Sequence, residues 1–250
     1  MKYLIANWKM NLNEDASLNL AKKYKKRLKG FKNLTIVIAP DLLYLKEIKQ
    51  DLGKSTIKVC GQNVAAEEKG AYTGEVSAQM LKEIGCDFAI VGHSERRINL
   101  NETSELVNKK MNQCYNAGLV PILCVGETME ERLKGQTEAV LTRQLHGALG
   151  RVNGLPESDL FIAYEPVWAI GSGKNMDPSE FQAVYRIIKR VLSSLFSEKF
   201  YEEKVRLLYG GSVSSINAKD FWIAPHIHGL LVATGSLEMD EMYNIAMQAE

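Results

Sequence analysis

Phe88-Ala89-Ile90-Val91-Gly92-His93-Ser94-Glu95-Arg96-Arg97 is a short apolar run that breaks at a glycine into polar and ionisable residues. The run does not alternate, which is the pattern of a parallel strand buried on both faces. A helical pattern follows over residues 102–117, Gly118 supplies a C-terminal cap, and residues 119–125 form a second apolar run. This is one β–α–β unit, in which a helix crosses over between two parallel strands.

The same rhythm extends in both directions. Further strand-like runs fall at 3–6, 34–39, 56–60, 160–164, 205–209 and 229–232, making eight in all. Helical patterns fall at 15–29, 41–51, 77–84, 135–152, 178–196, 214–220 and 236–248. Asp177-Pro178-Ser179-Glu180 reads as a helix start, with an N-cap Asp, Pro at the first helical position and a capping-box Glu. Eight β–α units in 250 residues, with no linker or composition shift, predict a single α/β domain over residues 1–250, a (β/α)8 barrel. A doubly wound open sheet is the competitor, but no G-x-G-x-x-G follows the first strand.

Composition sets the class. The chain is 46% hydrophobic and 24% charged, ordinary globular values that argue against disorder, collagen or a coiled coil. The formal net charge is +1, without the basic excess of a nucleic-acid binder. The densest basic run, residues 22–29, reads as the wet face of a helix whose apolar side holds Leu18, Ala21, Tyr24 and Leu28. Cys60, Cys86, Cys114 and Cys124 lack metal or redox spacing and fit a reducing compartment. No apolar run is long enough to span a bilayer and the N-terminus turns polar too early for a signal peptide, so a cytoplasmic protein without membrane partners is expected.

In a barrel, chemistry belongs at the C-terminal strand ends. These carry Asn7-Trp8-Lys9, Gly92-His93-Ser94-Glu95, Tyr164-Glu165-Pro166, Tyr209-Gly210-Gly211-Ser212 and Ala233-Thr234-Gly235-Ser236. Alone, Lys9 reads as a surface lysine, His93 as a satisfied histidine, Glu165 as a structural carboxylate and Gly210-Gly211 as a turn. A barrel would bring them all to one mouth.

Six strings, Asn7-Trp8-Lys9-Met10-Asn11, Gly70-Ala71-Tyr72-Thr73-Gly74-Glu75-Val76-Ser77, Gly92–Arg97, Cys124-Val125-Gly126-Glu127, residues 163–171 and Tyr209-Gly210-Gly211-Ser212-Val213, resemble the motifs of the triosephosphate isomerase family in order and spacing. The resemblance implies the TIM barrel and interconversion of dihydroxyacetone phosphate and D-glyceraldehyde 3-phosphate through an enediolate, in glycolysis and gluconeogenesis, without cofactor or metal. It makes Glu165 the base and His93 a neutral electrophile. That pairing is also the standing example of carboxylate and imidazole tuning in this family. The N-terminus of a short helix starting near Ser94 would disfavour imidazolium. Lys9 would carry the positive charge, with Asn7 as a second donor and Glu95 as the partner of Lys9.

Pro166, Val167, Trp168, Ala169, Ile170, Gly171, Ser172, Gly173 and Lys174 would form a lid, with the Gly171 N–H on phosphate. Gly173-Lys174 is no P-loop, because Trp168 and Asn175 break that pattern. Ser212, Ala233 and Thr234 would complete the phosphate grip, with Ser236 opening the last helix. The family usually has two glycines where Ala233 and Thr234 stand, so strain at Thr234, or a left-handed Gly235, is expected. Ala6 also replaces a frequent glycine. His226 and His228 raise a His-x-His metal reading, for which no third ligand is evident. The loop 61–76 would project into a second copy, placing Thr73 near the partner's site, with Met10, Glu75 and Arg96 at the contact of a homodimer. The alternatives are a barrel isomerase for a larger sugar phosphate and a non-catalytic interaction protein.

Overall fold

A computed structural model describes residues 1–150, 152, 158–169 and 176–250. Among them, eight strands form one ring: β1 (Lys2–Asn7), β2 (Leu34–Ala39), β3 (Lys58–Gly61), β4 (Phe88–Val91), β5 (Val120–Val125), β6 (Leu160–Tyr164), β7 (Val205–Tyr209) and β8 (Gly229–Val232). Each pairs in parallel with the next. β8 pairs with β1 from Tyr3–Gly229 to Ala6–Val232, closing the ring. The barrel expectation holds, and the open sheet fails because the strands follow one another in sequential order and close, leaving no edge.

Around the ring lie α1 (Glu14–Arg27), α2 (Leu42–Leu52), α3 (Ala78–Ile84), α4 (Ser94–Asn99), α5 (Ser104–Asn116), α6 (Met129–Leu133), α7 (Thr137–Leu149), α8 (Pro178–Leu195), α9 (Glu198–Lys204), α10 (Ala218–Ile223) and α11 (Met239–Met247). On α1, Leu20, Ala21 and Tyr24 are buried while the lysines of the basic run are exposed, as the wet-face reading expects. No described helix is long and apolar enough to cross a membrane.

Alternation along each strand divides the core. Ile5, Val37, Cys60, Ile90, Ile122, Cys124, Phe161, Leu208 and Leu231 fill the barrel interior. Their neighbours, such as Leu4, Ile36, Val91 and Leu207, pack outward against the helices. The four cysteines are free and buried. Burial pushes the Cys86 and Cys114 thiols up to about 12, so they behave as small apolar groups.

Several boundaries differ from expectation. α6 and α9 are additional; their starts carry a Thr128–Glu131 capping box and a Ser197 cap. The helix expected at 214–220 begins at Ala218, because Asn217 Oδ1 accepts the Ser214 N–H and closes a turn first. Asp177 caps α8 through the Ser179 N–H, but Glu180 reaches across to Arg132 at 3.0 Å instead of closing a capping box. Ser236 does not open the last helix. It sits in a 3-10 turn, Thr234–Leu237, ahead of α11.

Candidate active site

Five strand ends bring the expected groups together. Asn7, Lys9, His93, Glu165, Ser212, Ala233 and Thr234 line one cleft of about 280 Å³, with Gly210 and Gly211 in its wall.

Glu165 follows β6 and is almost completely buried. Its Oε2 accepts the Ser94 N–H at 2.9 Å, and its Oε1 lies 3.2 Å from His93 Nε2, outside hydrogen-bond alignment. The residue is seated by a close backbone approach: a Cβ at position 126 would fall 1.7 Å from the Glu165 carbonyl oxygen, so only glycine fits there. Gln144 brackets that glycine, accepting the Gly126 N–H at 2.8 Å and donating to its carbonyl at 3.0 Å.

His93 caps α4, and its Nδ1 accepts the Glu95 N–H at 3.2 Å. An acceptor nitrogen carries no proton, so this contact assigns the ring proton of the neutral imidazole to Nε2, which faces Glu165.

Lys9 adopts a left-handed backbone, φ 51°, a conformation that costs a non-glycine residue about 1–2 kcal/mol. Neighbouring bonds hold it there. Asn7 Oδ1 accepts the Lys9 N–H at 3.2 Å, and Gln62 Nε2 donates to the Lys9 carbonyl at 2.9 Å. The ammonium meets Glu95 Oε1 at 2.5 Å, as expected from the sequence.

Besides Gln144, three supporting groups were missed in the sequence. Gln62 is one. Glu127 is fully buried and accepts from the Tyr164 hydroxyl at 3.0 Å and from Trp168 Nε1 at 3.1 Å. Its carbonyl also accepts the Val167 N–H, so one residue holds the first turn of the expected lid. The third is buried Glu102, which accepts from Gly92 N–H, from Arg96 Nε at 2.8 Å and from Lys110 Nζ at 2.5 Å, bracing the His93 turn. Burial pushes its carboxyl up, but the bonds from Lys110 and Arg96 outweigh burial and hold it below the ordinary range. Glu127 was visible within a quoted string; Gln62 carries no local signal because its partner Lys9 is 53 positions away, and Glu102 lies 10, 6 and 8 positions from Gly92, Arg96 and Lys110, spacings that belong to no motif.

The loop after β8 corrects one expectation. Neither Thr234 nor Gly235 has positive φ, so the strain expected there is absent. A 3-10 turn absorbs the substitution, with Ala233 at φ −99°, ψ −88°. The Ser236 N–H and hydroxyl both bond the Ala233 carbonyl, at 2.9 and 2.6 Å, which occupies both donors within the turn. The two histidines do not form a metal pair. His226 stacks on Tyr185, while His228 Nδ1 accepts the Leu207 N–H at 3.1 Å. No cluster of three His, Cys, Asp or Glu suited to a metal occurs among the described residues. Ile170, Gly171, Ser172, Gly173 and Lys174 lie outside the described residues.

The family model described as triosephosphate isomerase matches residues 2–249. The chain belongs to the triosephosphate isomerase family. It is 40% identical over 251 residues to the triosephosphate isomerase of Chloroherpeton thalassium, covering 100% of this chain and 99% of that one. It is 41% identical to that of Treponema denticola over 248 residues, covering 99% and 98%. The crystal structure of triosephosphate isomerase from Bartonella henselae superposes with a TM-score of 0.88 at 34% identity, covering 99% of this chain and 98% of that one.

Beside the cleft lies a second, larger hollow of about 600 Å³, which Lys9, Met10, Gln62, Glu75, Glu95 and Arg96 help to line. Met10 is 91% exposed at its rim. The tip of the 61–76 loop, Thr73 included, is exposed, while its base is tied by the Ala65 N–H to the Val76 carbonyl.

Proposed function

We propose that this chain interconverts dihydroxyacetone phosphate and D-glyceraldehyde 3-phosphate, with Glu165 as the base. Family membership supports the reaction. The observation that carries the mechanism is the meeting of Glu165 and His93 Nε2 in one cleft, with Lys9 beside them.

In this reading Glu165 takes a proton from C1 of the ketose, and the electron pair moves to the C2 carbonyl oxygen. His93 Nε2–H and the Lys9 ammonium stabilise the oxyanion of the enediolate, assisted by Asn7. Glu165 returns the proton to C2, and the oxygens exchange theirs through His93. Atoms and charges balance within the substrate. Glu95 holds Lys9 in place. Ser212 and the N–H groups at Ala233 and Thr234 take the phosphate, joined by Gly171 when residues 166–174 close. Closure would strip water from Glu165 and strengthen it as a base.

The same reading makes the protein a homodimer, with Thr73 of one copy entering the hollow beside Lys9 of the other. Met10, Glu75 and Arg96 lie at that contact. The substrate gives the protein a place in glycolysis and gluconeogenesis, and four free buried cysteines fit a reducing cytoplasm.

Turnover of glyceraldehyde 3-phosphate is the test. The expected kcat/KM exceeds about 10⁴ M⁻¹s⁻¹, and a lower value favours a larger sugar phosphate as substrate. Glu165→Gln should lower kcat about 10²–10⁴-fold. Unchanged turnover in Glu165→Asp would assign the base elsewhere.

A further inference from the structure

The two halves of the phosphate end come from different strands: Ser212 follows β7, and Ala233 and Thr234 follow β8. Both halves meet the start of α11. Glu241, in its first turn, points back towards the β7 loop. Its Oε1 accepts the Ser215 N–H at 2.6 Å, and its Oε2 accepts the Ser215 hydroxyl at 2.7 Å. Gln248, just past the end of the helix, donates to the Ser215 carbonyl at 2.7 Å. Ser215 is thus held through all three of its polar groups.

From Ser215 the restraint reaches Ser212. Asn217 Oδ1 accepts the Ser214 N–H at 2.8 Å, and its Nδ2 donates to the Ser212 carbonyl at 3.0 Å. The stem of Glu241 also bears on the other half. A Cβ at Gly235 would lie 3.4 Å from Glu241 Cγ and 3.4 Å from the Val213 carbonyl. The β8 turn, the β7 loop and Glu241 therefore meet at one point.

We infer that Glu241 is a positioning residue for phosphate, fixing the separation between Ser212 and the Ala233–Thr234 turn. A carboxylate suits this place because it accepts two donors at once, and the first turn of a helix favours its charge. The inference rests on the assignment of phosphate to this end of the cleft. An anion bound between two loops depends on their spacing more than the reacting carbons do. Loss of the clamp should therefore weaken phosphate binding more than it slows the chemical step.

The experiment compares wild type, Glu241→Ala, Glu241→Gln, Ser215→Ala and the double variant Glu241→Ala with Ser215→Ala. It measures kcat, KM for glyceraldehyde 3-phosphate and the competitive inhibition constant of inorganic phosphate. Wild-type turnover and inhibition by phosphate come first; absence of either removes the functional reading itself. With both present, Glu241→Ala should raise KM and the phosphate inhibition constant together, by about fivefold or more, with kcat within about twofold. Glu241→Gln keeps one acceptor oxygen and should recover part of the loss. Ser215→Ala should give a smaller rise, and the double variant should be no worse than Glu241→Ala alone. If Glu241→Ala does not fold, the other two single variants carry the test. A fall in thermal stability with both constants unchanged overturns the inference, as does a fall in kcat with the phosphate constant unchanged.

Discussion

Lys9 carries two demands in one residue, a cation at the cleft and a left-handed backbone. Removing only the charge separates them. Lys9→Met should fold as wild type but lose about 10²–10³-fold in kcat/KM, the scale of a lost oxyanion contact. Retention of more than half the wild-type value would take Lys9 out of the chemistry. Glu95→Gln keeps the lysine and should have the smaller effect, because Glu95 itself is nearly half exposed and the pair is screened by water. At this scale the sequence was informative about residue types: Asn7 ends a strand, Lys9, His93 and Glu165 follow strand ends closely, and ring closure collects them. It did not reveal how they are held. The Gln62 bond to Lys9 spans 53 positions and the Gln144 bond to Gly126 spans 18, and neither leaves a spacing to read.

At the level of the element, the β5–α6 and β6–α8 connections lean on each other. Gly126 lets the Glu165 carbonyl approach, and Glu127 next to it holds Tyr164, Val167 and Trp168. Gly126→Ala cannot fit without moving the backbone that carries Glu165. Overpacking of this kind costs about 1–3 kcal/mol, and a base displaced by about 1 Å can lose 10²-fold in rate. The variant should therefore lose both unfolding free energy, measured in urea, and kcat. A variant with full activity would mean that β6 accommodates the methyl group without shifting Glu165. The strands were legible because burial on both faces writes continuous apolar runs. The short helices α6 and α9 were not, since one or two turns give too little periodicity. The β8 turn misled because counting glycines assumes a left-handed backbone, whereas a 3-10 turn meets the same corner with Ala233 and Thr234 at negative φ.

Across the whole molecule, two surfaces answer to conditions. At the N-terminal end of the barrel, His228 is held neutral. Burial lowers its pKa first, Arg206, His226 and the chain's amino terminus lower it further, and Asp159 opposes them. Its Nδ1 is also already occupied by the Leu207 N–H. The folded state thus binds a proton less readily than the unfolded chain. Stability from this site is complete above the unfolded value of about 6.5 and declines as pH falls below it, towards the folded value. Urea midpoints at about pH 7.5 and about pH 5.5 should fall further for wild type than for His228→Asn, which can keep an acceptor for Leu207; equal falls would place the acid sensitivity elsewhere. On the opposite face, Met10→Glu sets a charge at the rim of the larger hollow. In the proposed homodimer it should shift sedimentation towards a monomer, and an unchanged profile would remove Met10 from the proposed contact. Ring closure by β1 and β8 has a consequence in time as well. Asn7 and Lys9 are made first, yet β1 gains its second neighbour only when Val232 has been added. At ordinary synthesis rates of 5–20 residues per second that interval is about 10–45 s. During it β1 has an open edge, and the enzyme has no cleft until the last strand arrives.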